Sequence, residues 1–242
     1  MQKVESQKKM TDDSPKVAES AKQKVLVELF TSEGCSSCPP ADKALAFLQE
    51  QQPIANAEVI ALGFHVDYWD YIGWKDIYAK RDYTKRQQDY AETFRLSSSY
   101  TPQMVVDGSL EFVGNSSNKA TNAIASSTQI QKGEVELTRN GDKLSIKITD
   151  LPKHSGSTVF IVIAEDNLSS DIKRGENSGS KLIHQAVVRE LSETRLISPD
   201  QSSANFETSV NIKSDWKKQD LKFVVFVQEN ESKKVIGVNQ IK

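Results

Sequence analysis

At 242 residues, with 31 basic side chains against 33 acidic ones and no basic stripe, the chain carries a formal charge of −2. That excludes a nucleic-acid binder built on charge. A hydrophobic content of 37% supports a core, and no stretch reaches the roughly 20 apolar residues that a membrane span needs.

Residues 1–24 contain six lysines and four acids and no apolar segment. They are not a signal peptide as they stand. Their composition predicts a solvated, disordered polar tail, and it is equally compatible with the remainder of a processed leader behind an added start Met. Val25 to Phe30 is a continuous β-type run. Thr31 to Asp42 then holds both cysteines, as Cys35-Ser-Ser-Cys38 followed by Pro39-Pro40. Ala41, Ala44, Leu45 and Leu48 recur at helical spacing, which predicts a helix over about 37–51. Glu58 to Phe64 reads as a buried parallel strand. An aromatic, acidic loop follows at 65–76. Tyr83, Gln87, Tyr90, Ala91 and Phe94 predict an amphipathic helix whose polar face carries Lys85, Arg86, Gln88, Asp89 and Glu92. Asp107-Gly108 between apolar runs signals a hairpin, and 116–131 shows helical spacing again.

Beyond residue 132 the texture becomes strand-like. Val135–Ile148 reads as a hairpin around Asn140-Gly141, and further runs fall at 158–164, 182–189, 205–212, 221–228 and 234–241, with a polar loop at Gly175–Gly179. The expected organisation is therefore an α/β unit over 25–131 followed by an all-β, sandwich-like domain over 132–242.

The chemistry centres on the cysteines. At a helix start, unpaired amides and the helix dipole favour a thiolate. The expectation is an exposed Cys35 that attacks a disulfide and a buried Cys38 that resolves the mixed disulfide. Glu28 lies on the strand leading in; if buried, it has a raised pKa and takes the Cys38 proton, and on an edge strand it is simply exposed. Thr101-Pro102 precedes a strand, where a cis bond would set a backbone edge against the sulfurs. His65 ends the second parallel strand, at the edge where α/β sheets place their sites; it reads as a hydrogen-bonded structural histidine or as a ligand. Structural zinc is disfavoured, because two cysteines do not supply four ligands. Two rivals remain: a soft-metal site for an ion such as Cu(I), formed by Cys35, Cys38 and His65, and a purely structural disulfide in a binding module. Tyr68, Trp69, Tyr71 and Trp74 read as a substrate platform or a packed lid. His154 and His184 receive no role.

Val27–Asp42, Phe64–Asp70 with Gly73–Asp76, and Tyr100–Gly108 resemble a bacterial thioredoxin-like family catalogued as domain of unknown function 1223, whose members are mostly exported. Arg174-Gly-Glu-Asn177 and Val187-Val-Arg189 are similar to its β-rich C-terminal part, so the resemblance covers about residues 25–240. It implies a thioredoxin fold, with Cys35 as attacking thiol, Cys38 as resolving thiol and Pro102 as the cis-proline. Glu28 is similar to the buried carboxylate of thioredoxins, with one extra residue between it and the cysteines. The family supplies no established reaction; the activity expected from the Cys-x-x-Cys at a strand-to-helix junction, followed by Thr101-Pro102, is thiol–disulfide oxidoreduction on a protein thiol or disulfide client, with the disulfide as the redox group. The implied location is periplasmic or extracytoplasmic; the cytoplasm stays open because residues 1–24 hold no signal peptide.

Overall fold

A computed structural model describes residues 22–242. The tail expected at 1–24 falls almost wholly outside the described residues, and its last two positions already belong to the first strand, β1 (Gln23–Thr31). Helix α1 (Pro39–Gln51) follows the cysteines, then β2 (Ala57–His65), α2 (Arg81–Thr93), the hairpin β3 (Gln103–Val106) and β4 (Leu110–Val113), and α3 (Ser117–Ser127). The second half contains β5 (Glu134–Asn140), β6 (Lys143–Thr149), β7 (Ser157–Glu165), β8 (Leu168–Asp171), β9 (Lys181–His184), β10 (Val187–Ile197), β11 (Ala204–Ser209), β12 (Leu221–Glu229) and β13 (Val235–Ile241). The run expected at 182–189 is split between β9 and β10, because Ala186 turns into the left-handed region at φ 57°. No helix among the described residues is long and apolar enough to cross a membrane.

Helix α1 begins with prolines in its first two positions, where a missing N–H costs little. It ends at Gln52, whose side chain accepts from Val59 N at 2.7 Å and donates to Val59 O at 3.0 Å, tying the helix end to β2. Its apolar stripe, Ala41, Leu45 and Leu48, packs on Val25, Val27 and Leu29 of β1 and on α3. The alternate residues of β1, Leu26 and Phe30, face the other way, towards Tyr83 and Tyr90 of α2. This two-residue alternation decides the fate of Glu28.

Eight strands form one mixed sheet in the order β13-β12-β7-β10-β2-β1-β3-β4. Strands β1 and β2 run parallel, with Thr31 beside His65. The two halves of the chain join where β10 pairs with β2 at Val187 and Gly63. Four strands of the β-rich half thus continue the sheet of the α/β half. The sheet curls until the β12–β13 turn meets the β3–β4 turn, where Val235 N donates to Asp107 O at 2.9 Å. Inside the curl, Phe160, Val224, Phe226 and Val238 join the α2-side core. The sandwich-like part is a smaller sheet, β11-β6-β5, which packs Leu137, Leu144, Ile146 and Ile148 on the outer face of β7 and β12. Strands β8 and β9 form a separate hairpin, and the loop between them reaches the cysteines.

Candidate functional site

The Cys-Ser-Ser-Cys segment crosses from the C-terminal end of β1 to α1. The turn is tightened by Cys35 N donating to Ser32 O and Cys38 N to Cys35 O, both at 3.2 Å. Cys35 and Cys38 are joined in a disulfide. The exposed first sulfur expected from sequence is corrected here: both cysteines have 0% exposure, and only Ser36 and Ser37 between them reach solvent. The donor set also differs. Pro39 and Pro40 lack N–H groups, and Ser36 N already donates to Glu176 Oε2 at 3.0 Å. The polar neighbour left to Cys35 Sγ is the Ser37 hydroxyl at 3.3 Å.

Three segments connect to this turn, the first of them through Trp69. Thr101-Pro102 is a cis peptide. Its loop is held by Gln87 Nε2, which donates to Tyr100 O at 2.7 Å, and by Trp69 Nε1, which donates to Thr101 Oγ1 at 2.8 Å. The aromatic loop packs Trp69 against Gly34, where an added Cβ would lie 3.2 Å from Trp69 Cβ. Trp69 thus bridges Thr101 and Gly34, and Trp74 reaches the turn by donating its ring N–H to Glu33 Oε2, whereas Tyr71 stands 83% exposed. The third segment is the β8–β9 loop. Asn177 Nδ2 donates to Glu33 O at 2.9 Å and to Cys35 O at 3.0 Å, and Gly175 rests against Trp74.

Beneath the turn lies a buried network of two histidine–carboxylate pairs. His65 Nδ1 donates to Asp76 Oδ2 at 2.7 Å, and Asp76 also accepts from Glu33 N and Tyr78 N, each at 2.9 Å. His184 Nε2 donates to Glu33 Oε1 at 3.1 Å, and Trp74 Nε1 donates to Glu33 Oε2 at 2.7 Å. The two imidazole rings meet edge to face at 4.9 Å. Burial works against a charged His65, but the Asp76 carboxylate on its ring nitrogen outweighs this and raises its pKa above the ordinary value. Asp76 is affected oppositely: burial raises it, while His65 and the two backbone N–H donors bring it below the usual carboxylate range. Asp42, on the first turn of α1, is pushed up by burial, against the pull of His184 and His65.

Two expected roles change. Glu28 is fully buried, but it points to the α2 side of the sheet. It accepts from Arg86 Nε at 2.7 Å and from the Tyr90 hydroxyl, and none of its hydrogen-bond partners belongs to the cysteine turn. Alternation along β1 puts Glu28 on the face of Leu26 and Phe30, towards α2, and opposite Val27 and Leu29, which face α1. Arg86, expected on the polar face of α2, is buried with it. Its guanidinium carbon lies 5.1–5.6 Å from the ring centres of Phe64, Tyr90, Phe160 and Phe226. Burial opposes its charge, yet Glu28 raises its pKa above the ordinary value. The three-ligand metal set also fails to assemble: His65 is committed to Asp76, the two thiols are joined to each other, and no group of three or more His, Cys, Asp or Glu among the described residues is placed to hold a metal ion.

Sequence reasoning assigned nothing to Glu33, Asp76, Glu176, Asn177 or His184. The pointers it did have were the acidic aromatic loop, which contains Asp76, and Arg174-Gly-Glu-Asn177, noted only for its resemblance.

Fold and site together define a mixed α/β protein with a buried Cys-x-x-Cys disulfide at a strand-to-helix turn. The chain belongs to the family described as Protein of unknown function (DUF1223), which matches residues 26–228. It is similar to the crystal structure of protein AGR_C_4864 from Agrobacterium tumefaciens, with 26% identity and a TM-score of 0.73, covering 91% of this chain and 94% of that one. A match to the E. coli curli protein CsgC has 18% identity and a TM-score of 0.22, covering 46% of this chain and 97% of that one, and carries no structural argument. No curated protein matches the chain.

Proposed function

We propose that the protein is a thiol–disulfide oxidoreductase of thioredoxin-like type, acting through Cys35 and Cys38 on protein thiols or disulfides outside the cytoplasm. The observation that carries this reading is the pairing of its only two cysteines at the first turn of α1, with Thr101 linked to that turn through Trp69, which donates to Thr101 Oγ1 and packs on Gly34. There the helix dipole and the Ser37 hydroxyl favour a thiolate once the pair is reduced. Cys35 then attacks a client disulfide, one client sulfur leaves as a thiolate, and Cys38 displaces the second client sulfur to re-form the Cys35–Cys38 bond. The His65–Asp76 and His184–Glu33 pairs support the turn from below, and the sulfurs are the only redox groups needed.

The complete burial of both sulfurs favours a second reading, a binding module in which the disulfide staples the turn. Two measurements separate the readings. Insulin reduction with dithiothreitol as electron source should be faster with the native protein than with Cys35→Ser; equal rates sink the enzymatic reading. A redox titration should place the pair above about −300 mV if it exchanges, and below that if it is structural.

A further inference from the structure

We propose that the β8–β9 loop, residues 172–180, is a gate on the disulfide, latched by Asn177 and Glu176, and that its opening sets the rate at which small thiols reach the sulfurs. This rests on the redox reading of the same site. The loop lies far in sequence from both the strand and the helix that flank the turn, yet three directed hydrogen bonds join it to that turn. Two run from Asn177 Nδ2 to the carbonyls of Glu33 and Cys35, and one from Ser36 N to Glu176 Oε2. These contacts span 140–144 residues of chain.

Apart from Ile172, buried at its base, and Gly175 against Trp74, the loop is poorly anchored. Most of its residues from Lys173 to Ser180 are exposed, with only Asn177 half-buried. Its internal bonds are turn bonds, such as Gly179 N to Ile172 O at 2.8 Å. A segment with few apolar anchors and exposed hydrogen bonds opens at low free-energy cost. The turn that these bonds hold contains both sulfurs, which have no exposure at all. With the loop as the gate, a reagent waits for it to lift. The bonds from Ser36 also hold the Glu176 carboxyl below its ordinary pKa.

The reaction that reports on the gate is reduction by dithiothreitol. One reductant thiolate attacks a protein sulfur; the S–S bond breaks and its electron pair stays on the other sulfur, which takes a proton from water. The reductant's second thiol loses its proton to solvent and displaces the first protein sulfur. The products are two protein thiols and one cyclic disulfide, a transfer of two electrons. If opening precedes attack, the rate scales with the population of the open loop. Loss of each latch bond should then raise that rate roughly fivefold.

The test measures the rate of Cys35–Cys38 reduction by dithiothreitol in the full chain. Asn177→Ala, and the isosteric Asn177→Asp, which replaces the donor by an acceptor facing two carbonyls, should each accelerate reduction about tenfold or more. Adding Glu176→Ala should accelerate it further. Ser178→Ala removes only a hydroxyl bond to Lys173 O within the loop and should leave the rate unchanged. Thermal unfolding of each variant identifies any that fail to fold, and the isosteric Asp variant covers that case for Ala. Native-like rates in both Asn177 variants, or equal acceleration by Ser178→Ala, overturn the gate. An opened variant that is reduced quickly, but reduces insulin no better than Cys35→Ser, leaves the gate standing and removes the oxidoreductase.

Discussion

Replacing Glu28 by glutamine keeps the shape of the side chain and removes its charge, which separates a structural carboxylate from a catalytic one. Arg86 then retains a guanidinium with 9% side-chain exposure and no carboxylate at 2.7 Å. Its remaining hydrogen-bond partners, Gln228 Oε1 and the Tyr90 hydroxyl, each at 3.1 Å, are neutral. Removing one member of a buried ion pair costs about 3–5 kcal/mol, because the other charge stays behind unpaired. A cavity of about 250 Å³ lined by Arg86, Tyr90, Phe160 and Gln228 admits solvent beside the guanidinium, so the lower end, about 3 kcal/mol, is expected. For a chain of this size that corresponds to a fall in Tm of about 6–12 °C. Combining Glu28→Gln with Arg86→Met should recover most of the loss, because the aromatic cage then holds an apolar side chain. Circular dichroism melts of native, single and double variants, read with insulin reduction at 25 °C, decide the matter. An unchanged Tm together with a large fall in turnover would refute the ion-pair role and return Glu28 to the disulfide chemistry.

Two further outcomes test the closure of the sheet and the buried network. Gly108 and Gly141 share φ +61°, but a Cβ at Gly108 would sit 1.8 Å from Lys233 O, whereas nothing lies within 4 Å at Gly141. In urea denaturation Gly141→Ala should cost about 1 kcal/mol for backbone strain alone, and Gly108→Ala about 2–4 kcal/mol because the β12–β13 turn must also move; equal costs would argue against the meeting of the two turns. For His65, the raised folded pKa means that its stabilisation is complete below about pH 6.5 and is lost as pH rises through the folded value. The lowered Asp76 pKa means that its share is complete above about pH 3.9 and is lost as pH falls through the folded value. The stability gap between native protein and His65→Gln should therefore be about 1.5 kcal/mol near pH 5 and narrow towards pH 9; a gap constant from pH 5 to pH 9 contradicts the His65–Asp76 charge pair.

What the sequence determined by itself is local. The apolar run of β1, the prolines behind Cys38 and the spacing of Ala41, Leu45 and Leu48 are enough to set the cysteines between a strand and a helix, because periodicity and capping act over neighbouring residues. Asp107-Gly108 marked its hairpin for the same reason, since only certain residues adopt that turn. Arg86 was legible in principle: it stands three residues after Tyr83 and four before Tyr90, on the apolar face of α2, but its charge suggested the solvent side.

Other features came only from the tertiary structure. Which face of β1 meets which helix depends on strand parity within the sheet, and that moved Glu28 from the cysteines to Arg86. The continuation of one sheet through both halves rests on the pairing of β10 with β2, which no turn or spacing announces. The hydrogen bonds from the β8–β9 loop to the cysteine turn depend on Asn177, 142 residues from Cys35. Hydrophobic patterning specifies that a residue is buried; its partner is chosen by packing between segments far apart in the chain.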